Sequence, residues 1–285
     1  MAEVFGHSPD DFSERAQRFR RNKLCPFNNK VPSCTKDKAK DPLGVCSIHT
    51  KDGPVITCPI RFREDWRIAD DAAAFFFSDE ASWTSLTEVR LPDRDGKSAG
   101  NIDLVLVAYD QAGKVYDFGS LEIQAVYISG NVRDPFARYM SDCRNHADMD
   151  WSREPNYPRP DFLSSSRKRL APQLLFKGSI LHNWKKKMAV AIDRQFFNTL
   201  PNLQSSDRNE AEVAWLIYDL VFDQDASRYV LRQTEIVYTL FSDALTRITL
   251  PNVGCIDDFM RRLQEKVDEK LESPPTNAVI DTPLG

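Results

Sequence analysis

"GNIDLVLVAYDQAGKVYDFGSLEIQAVYISGN", residues 100–131, is the stretch that decides the fold. Five consecutive apolar residues, Leu104 to Ala108, follow Asp103. A strand that apolar is covered on both faces and lies inside a sheet. The polar QAGK between two apolar runs reads as the turn of a hairpin. With Ala112 and Gly113 as a two-residue turn, paired residues have numbers summing to 225, and Asp103 faces Glu122. Opposed residues project from one face with Cβ atoms about 4.5–5.5 Å apart. Gln124, two residues beyond Glu122, shares that face. Two carboxylates this close in an apolar setting repel unless one is neutral or a cation lies between them. A hard divalent ion such as Mg²⁺, held by one or two carboxylates, water and a phosphate, suits the place. Glu88, read as ending the preceding helix, is expected to approach it. The alternative is that Asp103 marks a strand end and Glu122 points to solvent.

Outward from the hairpin, "DWRIADDAAAFFFSDEASW" and "TSLTEVRL" read as helices, the first with an aromatic stripe at Phe75, Phe76 and Phe77. Downstream, "DPFARYMSDCRNHADMDW" is partly helical and "SILHNWKKKMAVAIDRQFFNTL" reads as an amphipathic helix. "AEVAWLIYDLVFD" and "RYVLRQTEIVYTL" form a second pair of strands, and "CIDDFMRRLQEKVDEKLES" a last helix. The fold class expected is α/β (α+β), a central mixed sheet flanked by helices. The expected organisation is an N-terminal module over residues 1–64, a core over 65–272 and a disordered tail over 273–285.

Composition is ordinary for a globular chain, 41% hydrophobic and 28% charged. With no apolar run long enough to span a bilayer and no basic-then-apolar leader, a soluble cytoplasmic protein is expected. The net charge of −4 conceals blocks. Residues 14–63 carry twelve Lys and Arg against four Asp and Glu, and residues 131–190 twelve against six. Residues 64–130 carry five against thirteen, and 201–285 eight against fifteen. Segregation of this kind can build a basic face on an acidic protein, and polyanions such as DNA respond to faces. Arg133, Arg138, Asn145, His146, Arg153, Arg159 and the run Arg167 to Arg169 are candidates for DNA contact; Lys185 to Lys187 read as the exposed side of a helix.

Cys25, Cys34, Cys46 and Cys58 fall close together inside the first basic block. In a cytosolic chain such density favours a metal over disulfides, and four thiolates suit Zn²⁺ or an iron centre in a closed structural site. His49 is a possible substitute ligand; free buried thiols are the alternative reading. Because residues 14–63 hold few apolar side chains, metal binding is expected to supply much of their folding energy. Cys143 and Cys255 read as ordinary buried thiols.

A strand Asp, a hairpin and an acid–x–Lys/Gln triplet, here Asp103 and Glu122-Ile123-Gln124, resemble the PD-(D/E)xK nucleases. "GNIDLVLV", "GSLEIQAVYISGN", the Glu88-to-Asp103 spacing and "CPFNNKVPSCTKDKAKDPLGVCSI" together resemble the NotI family of type II restriction endonucleases over roughly residues 20–145. The resemblance implies a PD-(D/E)xK core with a small N-terminal four-cysteine module, cutting double-stranded DNA with Mg²⁺ as a homodimer. The target implied is palindromic and GC-rich, the product ends 5′-phosphates, and a cognate methyltransferase protects the host. Asp103 and Glu122 would hold Mg²⁺ with the Ile123 carbonyl beside them. Gln124 would stand where most of the superfamily has Lys, and Glu88 would be a second-site or outer ligand. For the cysteine site the resemblance implies iron in place of zinc. The rivals are a nuclease of the same superfamily without sequence specificity and a non-catalytic, metal-stapled DNA-binding protein.

Overall fold

The computed structural model describes residues 1–28, 30–38, 40–250 and 253–272; the expected tail over 273–285 lies outside them. Residues 1–249 make one compact unit and 250–285 a second. Among the described residues no helix is long and apolar enough to cross a membrane.

The first unit begins with an antiparallel three-stranded sheet, β1 (Glu3–Val4), β2 (Val45–Thr50) and β3 (Gly53–Ile56), in that order. Helix α1 (Glu14–Arg21) starts on an N-cap at Ser13, whose hydroxyl accepts the Ala16 N–H. This region is less bare than its composition suggests. Val4, Phe5, Val45 and Ile48 bury against Phe136, Tyr139 and Trp151. The apolar partners missing from residues 14–63 therefore come from the extreme N-terminus and from beyond residue 130, and the segment does not rest on metal alone. A fully buried Arg61 adds a polar anchor, donating to Glu3, to Glu64 and to the Tyr229 carbonyl.

Helix α2 (Arg67–Phe76) precedes the main sheet. The sheet holds β4 (Trp83–Pro92), β5 (Ser98–Tyr109), β6 (Val115–Gln124), β7 (Met188–Asp193), β8 (Val213–Asp223) and β9 (Arg228–Thr239). Its order is β9-β8-β7-β6-β5-β4. β4, β5 and β6 form an antiparallel meander, β7 runs parallel to both β6 and β8, and β9 closes antiparallel on β8. The architecture is thus mixed α and β around a six-stranded mixed sheet.

Two helical readings give way to strands. "TSLTEVRL" is β4, an edge strand with alternating exposure, which its β-branched, period-two pattern favours. "MAVAID" is β7, buried at all six positions. A strand covered on both faces shows no alternation, so periodicity cannot separate it from a buried helix segment.

Helices cover the two faces. Ile68, Ala72, Phe75 and Phe76 of α2 pack on Leu104, Leu106, Leu121 and Ile123. After α3 (Arg133–Ser141), the opposite face takes a long helix, α4, over residues 162–183, and α5 (Phe241–Thr249). Leu170, Leu174 and Leu181 of α4 and Phe241 of α5 bury against Val190, Ile192 and Trp215. Two turns of α4, Ser166–Leu170 and Leu174–Gly178, are π-helical. In the second unit, α6 (Ile256–Glu272) is the described helix.

Candidate active site

Local pairing sets the site. From Leu104–Leu121 to Ala108–Asp117 every pair in the hairpin sums to 225, the register that aligns Asp103 with Glu122. The turn is longer than two residues: Asp110 N–H donates to the Lys114 carbonyl and Gly113 takes φ +77°. A bulge between Ala108 and Tyr109 absorbs the difference.

Beyond Leu104 a carboxylate takes over from the ladder. Asp103 Oδ2 accepts the Ile123 N–H at 2.9 Å. Glu122, with no exposed surface, projects to the α4 side, and both its oxygens accept from Lys177 Nζ at 2.8 and 2.7 Å. The same ammonium donates to the Asn101 carbonyl at 2.6 Å. Burial, reinforced by the neighbouring Asp103 charge, pushes Glu122 up to about 8, against the opposing pull of Lys177. Gln124 is also wholly buried; its amide N–H donates to Gln173 Oε1, while its own Oε1 has no partner among the described residues. Arg169 Nη2 lies 3.8 Å from Asp103 Oδ2 at the partly exposed mouth.

Arg169, Gln173 and Lys177 thus come from one face of α4, four residues apart. At 3.6 residues per turn, a four-residue step overruns a full turn by about 40°. The wider π turns around Arg169 and Lys177 offset that drift, and such turns concentrate at functional sites. Gln173 and Lys177 go unmarked in the sequence, and Arg169 reads there only as part of a basic run. The available signal was R-x3-Q-x3-K interleaved with Leu170, Leu174 and Leu181.

Glu88 does not join them. It sits in β4 between the Thr87–Leu104 and Val89–Ile102 pairs, at the register position facing Asp103. Its backbone takes φ +58°, and its carboxylate lies 3.5 Å from Lys30 on the surface.

Two carboxylates, hard oxygen donors, converge here, with the Ile123 N–H fixing one of them. Mg²⁺ takes one or two protein carboxylates and keeps water or phosphate for its other positions. The donor set fits it.

The four cysteines lie elsewhere. Cys58 acts electrostatically on Cys25, Cys34 and Cys46. Burial first, then the neighbouring sulfurs, push Cys25 up to about 12 and raise Cys34 and Cys46. Backbone N–H groups of Phe27 and Asn28 donate to Cys25, and that of Lys36 to Cys34, an environment that suits thiolates once a cation is present. Their donor chemistry fits a soft ion. Their spacing is looser: among the described residues no three His, Cys, Asp or Glu side chains are grouped to hold a metal. His49 packs edge-on against Tyr229 instead.

Several basic candidates are already engaged within the chain. Arg133 binds Asp37 and Asp41, and Arg138 forms a two-point pair with Glu154. His146 faces the Asp142 carbonyl and Arg153 pairs with Asp150. Asn145 caps Asp142. Arg159, Arg167 and Lys168 are exposed. Lys185 to Lys187 follow the helix rather than lying on it; Lys186 binds Asp117 and Lys187 the Phe75 carbonyl. Cys143 packs at the edge of the N-terminal core, whereas Cys255 is exposed, not buried.

No curated protein matches the chain. A family model described as "Restriction endonuclease NotI" matches residues 10–231, from before α1 into β9, including every side chain at this site.

Proposed function

The chain belongs to the NotI restriction endonuclease family, and on that premise we propose that it is a type II enzyme hydrolysing double-stranded DNA with Mg²⁺. Its target would be a palindromic, GC-rich sequence cut to leave 5′-phosphates. A palindrome matches two-fold protein symmetry, so the working form would be a homodimer, with a host methyltransferase modifying the same sites. The PD-(D/E)xK reading of the core goes with this assignment.

One observation carries the reading: Asp103 and Glu122 converge where the hairpin ladder ends, backed by Gln124. Asp103, Glu122 and the Ile123 carbonyl would hold Mg²⁺, which supplies charge stabilisation at the scissile phosphate and a lowered pKa for attacking water. The Ile123 N–H fixes the Asp103 carboxylate. Gln124, a neutral amide, can orient a water or a phosphate oxygen but contributes no positive charge. Arg169, at the partly exposed mouth, would meet a phosphate. An outer role for Glu88 requires its carboxylate to leave Lys30. Cys25, Cys34, Cys46 and Cys58 would hold a structural iron or zinc ion beneath the basic N-terminal segment.

The complete burial of Glu122 against Lys177 favours a second reading, a DNA-binding protein whose acids are structural. A digest of large, GC-rich, unmethylated DNA by the purified chain, with and without Mg²⁺ and beside Asp103→Ala, separates them. Discrete Mg²⁺-dependent fragments, absent with the variant, support the restriction enzyme. A smear indicates a nuclease without sequence specificity. Mg²⁺-independent binding without cleavage, across DNAs from several genomes, favours the non-catalytic reading.

A further inference from the structure

The strand that carries Glu122 has a neutral Gln124 where a fixed positive charge could stand, yet the site is not short of cations. Lys177 reaches it from α4, fifty-five residues further along the chain. Its ammonium bridges two strands, holding both oxygens of Glu122 on β6 and the Asn101 carbonyl on β5. It therefore occupies the gap at which Asp103 departs from the ladder.

The surroundings are shaped for this reach. Gly100 takes φ +116°, and a Cβ there would stand in ordinary van der Waals contact with Lys177 Cε at 3.4 Å, so the backbone passes close beside the lysine stem. Gly178 fixes the rotation of the helix: a Cβ there would come within 2.5 Å of the Phe241 ring. α4 can approach α5 this closely only with a glycine at the contact, and that contact keeps the neighbouring Lys177 turned toward the sheet. A lysine serving merely as solvated surface needs no such close helix contact beside it.

Building on the nuclease reading above, we propose that Lys177 is the positioning residue of this site, supplying from the helix the fixed charge that strand position 124 lacks and holding Glu122 in place. Phosphodiester cleavage builds negative charge on phosphate oxygens, and a preorganised cation in a water-poor pocket stabilises it without reorganisation. A charge of this kind can be delivered from either neighbouring element. Moving it back to the strand should therefore preserve function.

The experiment compares the full chain with Lys177→Met, Lys177→Arg, Gln124→Lys/Lys177→Met and Asp103→Asn. Cleavage kinetics, Mn²⁺ binding by calorimetry and thermal melting are measured for each. Lys177→Met is expected to lose about 100-fold in kcat with KM unchanged, while binding Mn²⁺ more tightly than the parent, because the ion no longer competes with the ammonium for Glu122. Lys177→Arg should retain part of the rate, and the double variant should return kcat to within about tenfold of the parent. Wild-type kcat in Lys177→Met overturns the proposal. So does a joint loss of rate, Mn²⁺ binding and melting temperature that the relocated lysine leaves uncorrected, since that is the signature of a structural pair. If the parent chain does not cut DNA, the nuclease reading falls by itself. The Mn²⁺ titration then still decides Lys177: tighter binding in the Met variant upholds it as the cation of the site, and unchanged binding removes it.

Discussion

Asp103 and Glu122 differ in exposure although they share one site. Asp103 keeps about a quarter of its side-chain surface, 27%, whereas Glu122 keeps none. Asp103→Asn preserves shape and the acceptor for Ile123 N–H but removes charge. It should abolish cleavage while leaving DNA affinity intact, as gel-shift and digestion assays on the same preparation would reveal. Glu122 yields a prediction about protons. Its native value of about 8 lies above the ordinary 4.5, so between those limits the folded state holds a proton that the unfolded chain has lost. Its contribution to stability accordingly falls as pH rises through that window. Divalent-ion binding needs the carboxylate, so at pH 7 it should release about one proton and should tighten as pH rises toward 8. Calorimetry in buffers of different ionisation enthalpy measures that release directly. The two acids and Gln124 were legible in the sequence because turn, apolar run and period of two are all local. Lys177 was not, because the contact that defines it spans a long stretch of chain and nothing near residue 177 announces it.

The elements divide in the same way. Strands β5, β6, β8 and β9 show in their own residues, whereas β7 is apolar at its first five positions and took its identity from two parallel neighbours. Helix ends make sharper statements. Asp193, the last residue of β7, caps the following turn by accepting the Gln195 and Phe196 N–H groups and also takes the Ile56 N–H from β3. Asp193→Ala removes a cap worth about 1 kcal/mol and strands a buried donor at a further cost of about 1–3 kcal/mol. Urea unfolding should register a loss of roughly 2–4 kcal/mol. At the α4–α5 contact, Gly178→Ala forces a methyl into the Phe241 ring. Overpacking of this kind costs about 1–3 kcal/mol. Because the displaced turn carries Lys177, cleavage should fall even at temperatures where the variant remains folded.

At the scale of the molecule, the N-terminal segment shares a hydrophobic core with residues 132–151 and is tied to β9 through Arg61. Replacing any of Cys25, Cys34, Cys46 or Cys58 by Ser should therefore open the cysteine-bearing loops to protease without unfolding the sheet. Limited proteolysis and metal analysis check this together: cuts confined to that segment, with loss of iron or zinc, are the expected result. Unchanged resistance and metal content would reject the site. The composition of residues 14–63 gave no hint of that shared core, since its partners are remote in sequence. The placement of β7 between β6 and β8 has a further consequence, in the timing of synthesis. A growing chain presents the acidic hairpin to solvent well before residues 188–193 exist to cover its flank, and an uncovered apolar strand edge invites aggregation. Fragments ending short of β7 should precipitate rather than cut. The nuclease would become competent late and all at once, with no partly finished form able to attack DNA.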